Sequence, residues 1–212
     1  MLDFRKRVGT PELMDDLSRP RREFDDAYRE LARVNRWLGG IRAIERFLPT
    51  GNLLVLDVAA GACDVAEAIS LHGRRVIVLD RNPEGLKLAK RSAAVVADAL
   101  EMPFPDATFD VVIASLFFHH LSDEECVRVL QSMWRIARHT VLVNDLHRHP
   151  IAYFSIRALA ALSTSVMFRH DAPVSVLRAF TANELLAIAG RAGIPARVHR
   201  SFPYRLVLVA RK

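Results

Sequence analysis

Between Leu53 and Asp145, apolar and polar positions are arranged in alternating blocks. Continuous, β-branched apolar runs (LLVLDV, RRVIVLD, AAVVAD, FDVVIAS and TVLVND) are separated by the amphipathic stretches VAEAISLH, PEGLKLAKR and CVRVLQSMWRIAR. Strands that are apolar along their whole length have both faces covered. The pattern therefore predicts a parallel sheet with crossover helices on each side. From Pro11 to Phe47, the positions Leu13, Leu17, Phe24, Leu31, Val34, Trp37, Leu38, Ile41 and Ile44 recur at near-helical spacing, broken at Pro20 and Gly39-Gly40. This predicts two or three helices packed on the core.

After the fifth run the alternation stops. IAYFSIRALAALSTSVMF and RHDAPVSVLRAF read as a helical insertion. TANELLAIAGRAG carries an N-cap at Thr181, the Glu184 of a capping box and Gly193 near its end. The final runs, ARVHRS and YRLVLVARK, are close enough to pair as an antiparallel edge. The expected fold class is α/β, a doubly wound, seven-stranded, mostly parallel sheet with N-terminal helices and a helical insertion after strand 5.

At 212 residues the chain is long enough for one sizeable core, and a single domain is expected. Its formal charge of +6 is almost wholly arginine, because lysine occurs only at Lys6, Lys87, Lys90 and Lys212. These arginines are spread along the chain rather than clustered, so a nucleic-acid partner is not expected. Cys63 and Cys126 fall at positions predicted to be buried and lack metal-type spacing. MLDFRKRV has no apolar run behind its charges, so a reduced, cytoplasmic setting and no metal are expected. The apolar stretch from Pro150 to Phe168 contains Arg157 and falls short of the roughly 20 residues of a membrane span. Oligomeric state leaves no signature here.

The candidate chemistry starts at VLDVAAGACD, residues 55–64. In open α/β sheets ligands bind beyond the carboxyl ends of the strands, where strand order reverses. A dinucleotide fingerprint laid on Ala59, Gly61 and Asp64 keeps one glycine of three and sets a carboxylate beside a pyrophosphate, where like charges repel. A ligand without phosphates removes that objection. Gly61 then allows close backbone approach. Asp80, closing the second strand, can accept from both hydroxyls of a ribose, and Asp98, closing the third, from an adenine amine.

With these residues in place, the chain resembles the class I S-adenosylmethionine-dependent methyltransferases over about residues 50–145. VLDVAAGACD is similar to their first motif and VIVLDRN to their second. VVADALEMPFPDATFDVVIASLFFHHLSD is similar to the third and fourth motifs of the branch that methylates quinones and other small molecules. The family usually has three glycines in the first motif, and this chain keeps the middle one. The resemblance implies S-adenosylmethionine as cofactor, held by Asp57, Ala59, Gly61, Asp80, Arg81, Asp98, Ala99 and Ser115. The single domain is expected to divide into an N-terminal helical cap (1–48), a cofactor-binding core (49–147), an insertion shaping the substrate pocket (148–180) and a C-terminal helix with a strand pair (181–212). Tyr28, Asn35 or Arg42 of the cap could reach the cofactor carboxylate, with Arg42 more naturally a surface residue.

Methyl transfer to a phenol is helped by proton removal, and histidine changes charge near neutral pH. The candidates are His119 and His120 after the fourth strand, His147 and His149 after the fifth, and His170 beside Asp171. Tyr153, Phe154, Met167 and Phe168 offer apolar wall material. Ala-Ser-Leu-Phe-Phe stands where nucleic-acid amine methylases carry Asn- or Asp-Pro-Pro-aromatic. The expected activity is O-methylation of a phenolic or quinol-like small molecule. An RNA or protein methyltransferase, and a cofactor-binding protein without catalysis, are the alternatives.

Overall fold

The computed structural model describes residues 3–212; Met1 and Leu2, the start of the cap expected over 1–48, lie outside the described residues. Seven strands form one sheet: β1 (Leu54–Val58), β2 (Arg75–Asp80), β3 (Ala93–Val96), β4 (Phe109–Ser115), β5 (Ala137–Leu146), β6 (Ala196–Ser201) and β7 (Arg205–Arg211), in the order β3-β2-β1-β4-β5-β7-β6. β1 to β5 run parallel. β7 lies antiparallel to both β5 and β6. The last two strands do pair, but only β6 is an edge, and β7, buried along most of its length, fills an interior place. Alternate β1 and β4 side chains serve opposite faces. Leu56 and Val112 pack with Leu130, Met133 and Phe180 on one, and Val55, Val111 and Ile113 with Ile44, Ala66 and Ile69 on the other. Strand order reverses between β1 and β4, whose ends are level at Val58 and Ala114, and there the crevice opens.

The helices are α1 (Arg21–Trp37), α2 (Gly40–Glu45), α3 (Asp64–Ser70), α4 (Pro83–Leu86), α5 (Asp123–Ile136), α6 (Pro150–Ala160), α7 (Val166–Arg178) and α8 (Ala182–Arg191). None among the described residues is long and apolar enough to cross a membrane. Three expectations are corrected. Trp37 of the apolar pattern is exposed, while Phe24, Ala27 and Tyr28 of α1 pack with Met167 of α7 and roof the strand tips. The helix expected over PEGLKLAKR stops at Leu86, because Glu67 of α3 draws the Lys90 and Arg91 N–H groups to its own carboxylate. The helix read through Arg138 ends at Ile136, and Ala137 passes directly into β5.

The capping box at Thr181 and Glu184 is formed, and Glu184 also takes an ion pair from the buried Arg148 at 2.6 Å. Arg148, Arg178 and Arg205 are buried. Arg178 donates to the carbonyls of His119 and His120, and Arg7 to that of Leu121. Part of the arginine excess therefore ties loops to helices inside the protein.

The turn after β1 keeps its left-handed shape without its glycines. Ala59, Gly61 and Cys63 have φ of 55°, 48° and 57°, a region that costs a residue with a Cβ roughly 1–2 kcal/mol. Ala59→Gly removes that strain from a partly buried side chain. A gain of about 1 kcal/mol, or roughly 2–4 °C in Tm by calorimetry, is expected. An unchanged or lower Tm would contradict strain at this position.

Candidate active site

Two cavities adjoin above the strand tips. The first, about 460 Å³, is lined by Asp57, Ala59, Gly61, Asp64, Asp80, Arg81, Asp98, Ala99, Ser115 and Tyr28 among others. All eight residues expected to hold the cofactor thus face one space. Asp80 receives the Gly61 and Asn82 N–H groups at 2.8 Å each, which fixes its carboxylate beside the turn. Asp98 caps the turn of 3-10 helix that follows by accepting from Leu100 N–H, and Asn144 donates to Ser115 Oγ. Tyr28 and Asn35 of the cap also reach this cavity, Tyr28 accepting from Asn82 Nδ2 and Asn35 donating to Asp64. Arg42 is exposed.

Gly85 explains how the turn dispenses with glycines. A Cβ there would lie 2.3 Å from the Gly61 carbonyl oxygen, so the close approach is provided by α4 instead of by the loop. The electrostatics of this cavity are lopsided. Burial raises the carboxyl groups of Asp57, Asp64 and Asp80 above the usual range, Asp57 furthest, since Asp64 and Asp80 add repulsion to its burial. Such a lining accommodates a cation and disfavours a phosphate.

The second cavity, about 400 Å³, lies under α1, α6 and α7 and is largely apolar, with Leu31, Val34, Ile156, Leu159, Met167 and Phe168 among its walls. Met14, Leu31, Asn35, Leu116 and His120 line both cavities. Tyr153 is buried against Phe4 and Phe154 is half-exposed; neither lines this space.

The polar end of the second cavity is built on the turn after β4. His119 is buried, with Nδ1 2.6 Å from Asp145 Oδ1, and its own N–H donates to Asp145 Oδ2. His120 Nδ1 lies 2.8 Å from Asp15 Oδ1. Both imidazoles turn Nε2 toward Glu12, at 3.7 Å and 3.9 Å. Burial pushes the Glu12 carboxyl up to about 7, although His120, Ser175 and Arg178 pull it down. Glu12 Oε1 has no hydrogen-bond partner. Asp145 stays below the ordinary carboxylate range despite complete burial, held there by His119 and by the Leu146 and His119 N–H groups.

The other histidines diverge. His147 lines the second cavity, and burial beside Arg200 lowers its affinity for a proton. His149 instead caps α6 and stacks on Tyr204. His170 does bond Asp171, at 2.8 Å, but its half-exposed ring lines neither cavity. Asp171 itself accepts from the Leu13 and Met14 N–H groups and pins the N-terminal segment over the site. Sequence reasoning missed Glu12, Asp15, Asp145 and Gly85. Asp145 had a readable signal, an acid at the end of a strand like Asp80. Glu12 had none, since it arrives from more than a hundred residues away.

A methyltransferase-domain family model matches residues 55–140. Over these residues the core is similar to class I methyltransferase domains. S-adenosylmethionine is the cofactor of this family, and the acid-lined, phosphate-averse cavity fits its positively charged sulfur. A demethylmenaquinone methyltransferase of Thermus thermophilus is 31% identical over 105 residues, 45% of this chain and 47% of that protein. A ubiquinone/menaquinone biosynthesis C-methyltransferase of Rickettsia massiliae is 32% identical over 109 residues, 42% and 44% of the two. The match thus spans about half the length of these relatives. Human N-acetylserotonin methyltransferase, solved with S-adenosylmethionine, superposes with a TM-score of 0.70 over 97% of this chain and 60% of that one at 18% identity, a likeness of fold.

Two outcomes follow from the methyltransferase cavity. Gly85→Ala pushes a methyl group into the Gly61 carbonyl, so cofactor affinity by calorimetry is expected to fall about tenfold or more, with a loss of roughly 1–3 kcal/mol in stability; wild-type affinity would refute the close-approach role. Asp57 has a raised carboxyl, so its stabilising contribution is complete below the unfolded value of about 3.9 and is lost as pH rises through the folded one. Asp57→Asn should therefore become more stable relative to wild type in Tm profiles as pH climbs above about 4, and parallel profiles would contradict this.

Proposed function

We propose that this protein transfers the methyl group of S-adenosylmethionine to a phenolic or quinol-like small molecule held in the apolar cavity. The observation that carries the reading is the shared wall, because a ligand in each cavity meets across His120, Leu116 and Met14. When bound, S-adenosylmethionine supplies an electrophilic methyl whose bond to sulfur breaks with the electron pair left on sulfur.

This chain's residues do the rest. Asp57 and Asp64 would lie toward the sulfonium end, and Asp80, fixed by Gly61 and Asn82, would accept from the ribose hydroxyls. Asp98 and Ala99 would border the adenine, with Arg81 and Ser115 completing the wall. The apolar walls orient the acceptor ring and exclude water, which supplies rate through positioning. The acceptor hydroxyl faces the polar end. Asp145 holds the His119 Nδ1 proton, leaving Nε2 to accept the hydroxyl proton as the new bond forms; His120 and Glu12 flank it, and His147 lies further along the same cavity.

Removing that proton raises electron density on the oxygen and on the adjacent ring carbons. Methylation at oxygen is the first reading. Methylation at carbon is the second, favoured by the printed names of the quinone-biosynthesis relatives. The apolar cavity and the internal use of Arg148, Arg178 and Arg205 support a small molecule over an RNA or protein acceptor.

Labelled cofactor with a panel of phenols and quinols tests the proposal, and NMR of the product separates oxygen from carbon. His119→Gln should lower kcat by about 10²–10⁴ while cofactor affinity stays within about twofold. Undiminished turnover in that variant would remove His119 from the chemistry. Cofactor binding with no turnover on any acceptor would favour a binding protein instead.

A further inference from the structure

Glu12, His119 and His120 converge so that one ligand-type atom from each lies within 4.8 Å of the other two. Three features single this cluster out from ordinary buried polar contacts. Each imidazole has its Nδ1 against a carboxylate, Asp145 for His119 and Asp15 for His120, which fixes the Nδ1–H tautomer and turns the Nε2 lone pair inward. This is the outer-shell arrangement of metal-binding histidines. Glu12 is buried, and its Oε1 lacks any hydrogen-bond partner, with the Arg178 guanidinium held off at 3.8 Å. Finally, three carboxyl groups gather around the two rings: Glu12 and Asp15 share the Arg178 guanidinium, while Asp145 lies against His119 and interacts with the buried Arg205.

We propose that Glu12, His119 and His120 bind a divalent first-row transition-metal ion of the Zn²⁺ type at the polar end of the acceptor cavity. Two imidazole nitrogens and one carboxylate suit such an ion and leave coordination positions open toward the cavity. The site deepens the methyltransferase reading and rests on it for its role. The acceptor hydroxyl binds the ion and releases its proton to solvent, so the acceptor enters the reaction as an anion. One bond then forms from its oxygen or ring carbon to the methyl group as the carbon–sulfur bond breaks, with no oxidant or reductant required. The His119 Nε2 lone pair, which serves as base in the ion-free site, becomes a ligand. Asp15 and Asp145 are positioning residues that hold the two rings.

The full-length protein, dialysed against a chelator, is titrated with Co²⁺ and followed by visible absorption, with Zn²⁺ as competitor. The expected result is one Co²⁺ per chain with d–d bands that one equivalent of Zn²⁺ abolishes. Glu12→Gln should erase the bands. Asp15→Asn, which leaves all three ligands in place, should weaken Co²⁺ binding about 10- to 100-fold. Circular dichroism of each variant checks folding, and Asp15→Asn keeps the test open should Glu12→Gln not fold. Absent bands, or bands unchanged in both variants, overturn the metal site. If the chelated protein then still methylates phenols, the methyltransferase reading stands with His119 as a bare base. One-to-one metal binding without S-adenosylmethionine binding upholds the site and defeats that reading.

Discussion

Negative charge buried at the carboxyl ends of the strands constrains the rest of this structure. Asp57 and Asp80 lie buried around one cavity beside the half-buried Asp64, and Asp145 is buried beneath the next. A carboxylate in such surroundings must find hydrogen-bond donors, a cation, or a proton. Asp80 finds the Gly61 and Asn82 N–H groups, and Asp145 finds His119. Asp57 finds too little, and its carboxyl is raised furthest. The cofactor cavity is thus prepared for a positive ligand before any ligand arrives. The same physics makes it a poor site for a phosphate.

The acceptor side depends on segments distant in sequence. The turn bearing His119 and His120 is held from below by Asp145 and from the side by Arg178, whose guanidinium reaches both histidine carbonyls and Asp15. Asp171 of α7 fastens the backbone at Leu13 and Met14, which brings Glu12 over the imidazoles. The region matched by the methyltransferase family model ends at residue 140. Glu12, Asp145, α6 and α7 fall outside it. The first cavity is lined mostly by matched residues, whereas the second takes Leu116, His119 and His120 from the match and most of its apolar wall from parts of the chain that the match does not reach.

Glycine usage shows how a motif can lose its letters and keep its shape. Ala59 and Cys63 occupy left-handed backbone at positions where glycine is the usual choice. The close contact that glycine permits has moved to Gly85, against the Gly61 carbonyl. Read as letters, VLDVAAGACD is a depleted motif. Read as geometry, it is intact, and the strain it carries is held in place by the packing of β1, α3 and α4 around it.

The sequence by itself determined the sheet and the cofactor side. Apolar runs at strand length fix which residues are strands, and Asp80, Asp98 and Ser115 stand at strand ends, so chain order alone brings them to one edge of a parallel sheet. It also determined that His119 and His120 follow β4. Which histidines gather at one cavity was decided only by tertiary structure, because a side chain's surroundings there depend on Glu12, Asp15 and Asp145, contacts over 26 to 108 residues that leave no local periodicity. His170 illustrates the limit: its neighbour Asp171 does bond it, yet the helix turns the pair so that the aspartate faces the site and the histidine half faces solvent. Spacing along the chain sets where an element lies, and packing between elements sets which way its side chains face.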